Sequence, residues 1–177
     1  MRLARKLANA YDLMVNPGML TLIAGGWTEQ WDKTYTAPLV VYPFEGNFEA
    51  QVKVMFAPVR NYQAAGLGVR PAQTQDTFLR IARHFHDGQG LGVSGIQQGK
   101  GFGYGVSYTD DTAYLKIERQ GMLFTFSYST NENNWVVLQK NYVFEMPTEV
   151  EIFLVCKSAT NNEGIIAQFS NFIVVKR

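Results

Sequence analysis

The sequence predicts an all-β fold, a sandwich or a barrel, from three observations. Apolar and polar residues alternate in many short runs, the period of strands buried on one side. Gly, Pro, Asn and Asp turn signals separate the runs at short, regular intervals. No long segment carries a strong helical period. The chain has 177 residues, of which 46% are hydrophobic and 18% charged, enough for the core of one domain over residues 1–177 without disulfides.

Residues 1–10 form a basic leader. Leu3, Leu7 and Ala10, set against Arg2, Arg5 and Lys6, suit one amphipathic helix lying against the sheet or a partner. The leader lacks the apolar run of a signal peptide, and nowhere do about 18 consecutive apolar residues occur. The expectation is a soluble, cytoplasmic chain with no membrane insertion.

Residues 11–15 read as a short strand, ended by the Asn16-Pro17-Gly18 turn, in which proline presets one dihedral and glycine takes the positive one. A strand over 19–24 follows, then an irregular aromatic loop over 25–35 and a strand over 38–42. Residues 48–56 are the clearest strand, with Phe48, Ala50, Val52, Val54 and Phe56 on the inward face. Further strands are expected over 63–70, 78–86, 90–96 and 103–108. The glycine-rich stretch from Gly88 to Gly105 lacks the Gly-Lys-Ser/Thr ending of a phosphate loop and reads as flexible connections between strands.

Residues 114–128 read as a hairpin: Leu115 and Ile117 oppose Tyr114, Lys116 and Glu118, and Phe124, Phe126 and Tyr128 oppose Leu123, Thr125 and Ser127. Strands over 135–141, 149–157 and 165–175 complete the set. Leu115, Ile117, Phe124, Phe126, Phe169 and Phe172 are the expected core. Cys156, the single cysteine, lies in an apolar run and reads as an inert buried thiol.

Six segments in this order carry a resemblance: residues 37–50, 63–70, 78–83, 114–121, 128–135 and 167–172. Together they are similar to the concanavalin A-like lectin/glucanase superfamily, specifically the small jelly-roll domains of the "regulation of enolase" type and the C-terminal domains of bacterial β-xylosidases. The resemblance implies a two-sheet antiparallel jelly-roll sandwich with a shallow groove on the concave side of one sheet. Where such domains place Asp-Gly before the tryptophan of the fifth segment, this chain has Asn131-Glu132-Asn133-Asn134, which still permits a turn because Asn tolerates left-handed dihedrals.

Glycosidases need two carboxylates flanking the scissile bond, and related jelly-roll glucanases carry Glu-x-Asp-x-x-Glu on one strand. No such run occurs here. Glu149 and Glu151 share a face and read as a solvated pair on an edge strand; Asp110 and Asp111 read as turn residues. The chain is therefore expected not to be an enzyme. His84 and His86 emerge on one face and could supply two metal ligands, but no third is fixed by spacing and no Asp-rich calcium loop is present, so neither metal nor cofactor is expected.

With the apolar positions inward, including Phe85, one polar and aromatic face is expected to gather Arg70, Arg80, His84, His86, Tyr114, Lys116 and Glu118 over a floor containing Gly66 and Gly68. Trp27, Trp31, Tyr35 and Tyr62 in loops are expected to rim it. Such a face suits sugar hydroxyls, so the leading reading is a non-catalytic module that binds carbohydrate. The alternatives are a protein-interaction subunit of a larger assembly and, least supported, a glycoside hydrolase. Sixteen basic against fifteen acidic residues leave a net charge of +1, which points away from nucleic acid as a partner and leaves the oligomeric state open.

Overall fold

The computed structural model describes residues 2–3, 13–16, 18–26, 28, 30, 36–72, 74–97, 99–159 and 164–177. These contain fourteen strands and no helix. In chain order they are β1 (Arg2–Leu3), β2 (Leu13–Asn16), β3 (Met19–Ala24), β4 (Leu39–Glu45), β5 (Phe48–Met55), β6 (Gln63–Pro71) and β7 (Phe78–Phe85). After them come β8 (Gln89–Gln97), β9 (Lys100–Ser107), β10 (Thr112–Gln120), β11 (Leu123–Ser129), β12 (Val136–Val143), β13 (Glu149–Ser158) and β14 (Ile165–Lys176).

They form two seven-stranded antiparallel sheets, sheet A in the order β1-β4-β13-β6-β7-β8-β9 and sheet B in the order β12-β11-β10-β5-β14-β3-β2. This is the expected sandwich, in a jelly-roll-like arrangement. Arg2 and Leu3 pair with Val41 and Val40 as a short edge strand, so a helix over residues 1–10 is not what these two residues form. The rest of that expectation lies outside the described residues, as do Tyr11 and Asp12 of the first expected strand.

The core lies between the sheets. Phe48, Ala50, Val52, Val54 and Phe56 are buried there with Leu115, Ile117, Phe124, Phe126 and Phe169, while Phe172 packs against them half-buried. Alternation placed these residues correctly because both β5 and the β10–β11 hairpin bury one face only. The hairpin turns at Gly121, whose φ of 61° glycine adopts without strain. At the 131–134 turn it is Glu132, not an asparagine, that takes the positive φ, 68°. Asn131 instead accepts hydrogen bonds through its Oδ1 from the backbone N–H of Asn133 (3.1 Å) and Asn134 (3.0 Å).

Sheet A is covered on both faces over part of its width. Ile152, Leu154 and Cys156 of β13 join the inter-sheet core. Phe153 and Val155 join a second cluster on the outer face with Ala37, Leu39, Val41, Phe78 and Ile96. This double burial explains the near-continuous apolar run of β13, a pattern more usual in parallel sheets. It also corrects the reading of Glu149 and Glu151. β13 is a central strand, between β4 and β6, and of the two only Glu149 is exposed.

Candidate binding groove

The outer face of sheet A holds a groove of about 760 Å³, lined by Tyr62, Arg80, His84, His86, Ser94 and Lys157 over a floor of small residues. Cross-strand register shows how that floor arises. One row across the sheet reads Val155, Gly66, Ala82, Gly92 and Gly105. No residue from Gly66 to Gly105 in it extends beyond a methyl group. The row on one side carries Lys157, Ala64, His84 and Gly90; the row on the other carries Phe153, Gly68, Arg80, Ser94 and Gly103. Four residues along a strand separate the His84 and Arg80 rows, about 13 Å.

His84 lies down on this floor. A Cβ at Gly90 would fall 2.6 Å from its Nε2, and Cβ atoms at Gly92 and Gly105 would fall 2.9 and 3.1 Å from its Cε1. The glycines are thus the space the imidazole occupies. Burial, and after it the positive charges of Arg80, Arg83, His86 and Lys157, lower its pKa to about 4. At neutral pH it is an uncharged ring with one donor and one acceptor nitrogen.

Arg80 is held by hydrogen bonds that include Nε to Ser94 Oγ at 2.9 Å and a terminal nitrogen to Gln30 Oε1 at 2.7 Å. At the other end of the groove Tyr62 tilts against His86 with ring centroids 5.7 Å apart. Tyr62 has a φ of 68°, and its N–H bonds to Phe85 O at 2.9 Å. The adjoining turn is held by Asp87 N–H donating to Asn61 Oδ1 at 2.7 Å, so the ring is presented from a braced loop and remains exposed.

Of the residues expected to share one face, the structure brings together Arg80, His84, His86 and Tyr62. Arg70 is on the same face but outside the groove lining. It is buried in an ion pair with Glu151, donating from Nε at 2.8 Å and from a terminal nitrogen at 2.6 Å. Tyr114, Lys116 and Glu118 are not on this face. They belong to β10 of sheet B, on the opposite side of the molecule, where Lys53 sits 5.6 Å from the Tyr114 ring and Lys116 sits 4.5 Å from the Trp135 ring. Phe85 is half-buried at the groove rather than in the core. Trp27, Trp31 and Tyr35 lie outside the described residues.

Ser94, Lys157 and the glycines of β8 and β9 were not singled out as site residues. The sequence carries a signal for them: Gly90 and Gly92, and again Gly101, Gly103 and Gly105, stand two positions apart, the period of a strand face with no side chains, rather than that of flexible connections. Two other buried cations are structural. Arg83 donates to Gly90 O at 2.5 Å and to Tyr108 O at 2.8 Å, and Arg119 donates to Met146 O at 2.8 Å and Pro147 O at 2.7 Å. Among the described residues no group of three or more His, Cys, Asp or Glu is placed to hold a metal ion. They contain no helix long and apolar enough to cross a membrane.

The fold recurs in solved structures. A functionally unknown protein from Saccharomyces cerevisiae superposes with a TM-score of 0.82 at 18% identity, over 97% of this chain and 95% of that one. The GH43 BlXynB protein from Bacillus licheniformis gives 0.80 at 16% identity, over 99% of this chain but 36% of that one, so the match spans about a third of its length. The carbohydrate binding module CBM66 from Bacillus subtilis gives 0.54 at 10% identity, over 89% and 81%. No curated protein sequence matches. Residues 16–176 match the family model described as "Protein of unknown function (DUF1349)", and the chain belongs to that family.

Proposed function

We propose that this protein is a non-catalytic, concanavalin A-like binding module that recognises carbohydrate in the groove on the outer face of sheet A. The observation that carries this is the uncharged His84 lying on a glycine floor, with Ser94 and Arg80 on one side of it and the exposed Tyr62 ring at the end. Sugar hydroxyls need fixed donors and acceptors, and a sugar ring needs an open, flat approach with an aromatic face nearby. The glycines let the His84 ring lie flat, and that ring forms the approach.

Catalysis is disfavoured by what lines the groove. Its lining among the described residues contains no carboxylate, whereas glycoside cleavage by the usual route needs two. The likeness to a carbohydrate binding module and to about a third of a GH43 protein supports the same reading.

The test is a glycan array probed with the wild-type chain, His84→Ala, Tyr62→Ala and Tyr114→Ala. Binding by the wild type and by Tyr114→Ala, with at least tenfold weaker binding by the other two, is expected. No glycan bound, or loss through Tyr114→Ala alone, would overturn the proposal.

A further inference from the structure

We infer that the groove receives the end of a glycan chain rather than a stretch from its middle, an inference that rests on the carbohydrate reading above. The argument is the change in cover along one row of the sheet. At β13 the row begins with Val155, 0% exposed although it is on the outer face; it continues through buried Gly66, Ala82 and Gly92, and it finishes at the exposed Gly105 of edge strand β9. One end is roofed and the other is open.

Thr28 and Gln30, which follow β3, lie at the closed end. Thr28 N–H donates to Ser158 O at 2.9 Å, and Ser158 N–H donates back to Thr28 Oγ1 at 2.9 Å, which ties this segment to the end of β13. Gln30, also buried, accepts the hydrogen bond from Arg80. Phe153 fills the next row, its ring occupying the place where a Cβ on Gly68 would stand, 2.2 Å away. A chain crossing the sheet along the row would therefore run into packed protein at β13.

Of this row the groove lining takes in Ala82 of β7, Gly92 of β8 and Gly105 of β9, two strand spacings or about 10 Å, and neither Gly66 nor Val155. That length suits one or two monosaccharide units. A ligand entering at the β9 edge and stopping against the covered end presents its terminal unit to His84, Arg80 and Ser94, and the rest of its chain leaves past Gly103 and Gly105.

The probe is an array of linear xylo-, arabino-, gluco-, galacto-, manno- and fructo-oligosaccharides, each from two to six units, printed at equal molar density. Chain-end recognition predicts binding selected by the terminal sugar, equal within twofold from the shortest to the longest member, and lost when the terminal unit is removed enzymatically or capped. Binding that rises at least fourfold with length and survives capping would overturn this inference while leaving the carbohydrate reading standing. Binding to none of them, nor to the wider array, would remove both. A second variant, Gly103→Phe, places a ring at the open end, where a Cβ meets nothing closer than 3.9 Å. It should abolish binding with an unchanged melting temperature, and full binding by this folded variant would also overturn the inference.

Discussion

The outer faces of the two sheets have similar composition and opposite surface character. Each presents cations and aromatic rings from strands that alternate in the same way. On sheet B polar side chains lean on their neighbours: Lys53 on Tyr114, Lys116 on Trp135, and Glu49 on Arg177. On sheet A the residues between the polar ones are Gly66, Ala82, Gly92, Gly103 and Gly105, and the polar groups line a groove. The difference teaches that a groove on a sheet is made by what is missing from the floor. The residues on its walls are no different in kind from those of an ordinary solvated face.

The largest expected contrast lies in the ion pairs of the two faces. Arg70 and Glu151 are enclosed, with side-chain exposures of 8% and 4%, whereas Arg177 on sheet B is 54% exposed. Removing one member of an enclosed pair takes a charged, doubly hydrogen-bonded partner from the other in a low-dielectric site, so Arg70→Ala should cost about 3–5 kcal/mol. Arg177→Ala should cost far less, since exposed pairs are screened by water and salt. The Arg70→Met, Glu151→Leu double change should recover most of the first loss. Chemical denaturation reads all three, and equal losses for the two arginine variants would erase the distinction between the faces.

A second contrast is with pH. The imidazole of His84 titrates near 4 in the folded protein, against an ordinary value of 6.5. As pH falls through 6.5 the unfolded chain takes up a proton that the folded groove refuses, so stability present above that pH is lost progressively down to about 4. The loss from this one group is up to about 3 kcal/mol. The charged or titratable groups that act on it are Arg80, Arg83, His86 and Lys157, all cationic or able to become so. His84→Asn should remove most of the slope between pH 6.5 and 5 in denaturation midpoints. A wild-type slope unchanged in that variant would mean that another group carries it.

Much of this fold was legible because most strands bury one face. Period-two patterning put Phe48 to Phe56 and the 114–128 hairpin in the core without ambiguity. The same patterning could not say which sheet a strand joins. Arg80 on β7 and Lys116 on β10 satisfy one rule equally, yet stand on opposite sides of the molecule. That is why the expected site mixed two faces. Partner choice is set by long-range pairing and by the residues that cover a face, and neither leaves a local mark. β13 failed for a related reason: buried on both sides, it shows no alternation to reveal that Glu151 faces Arg70. The inert reading of Cys156 needed only its apolar neighbours, and burial does push its thiol well above the ordinary range.

The finest contrast is within the groove, between two glycines of neighbouring strands. A Cβ at Gly92 would fall 2.6 Å from Tyr104 O and 2.9 Å from His84 Cε1, and the first of these is backbone that cannot swing aside. Gly92→Ala should therefore cost about 1–3 kcal/mol, the usual range for overpacking, and should weaken glycan binding by displacing the imidazole. At Gly103 the nearest atoms to an added Cβ are Ser94 Cβ at 3.9 Å and Val93 O at 4.0 Å, ordinary contact distances. Its backbone is not in the left-handed region, so alanine is compatible there. Alanine also narrows the freedom of the unfolded chain, and Gly103→Ala should stabilise by about 0.4–1 kcal/mol. Thermal denaturation of the pair, read beside array binding, separates floor that holds His84 from floor that is simply open. If both substitutions destabilise alike, the space over Gly103 is filled and the groove is closed at β9, where a ligand would have to enter.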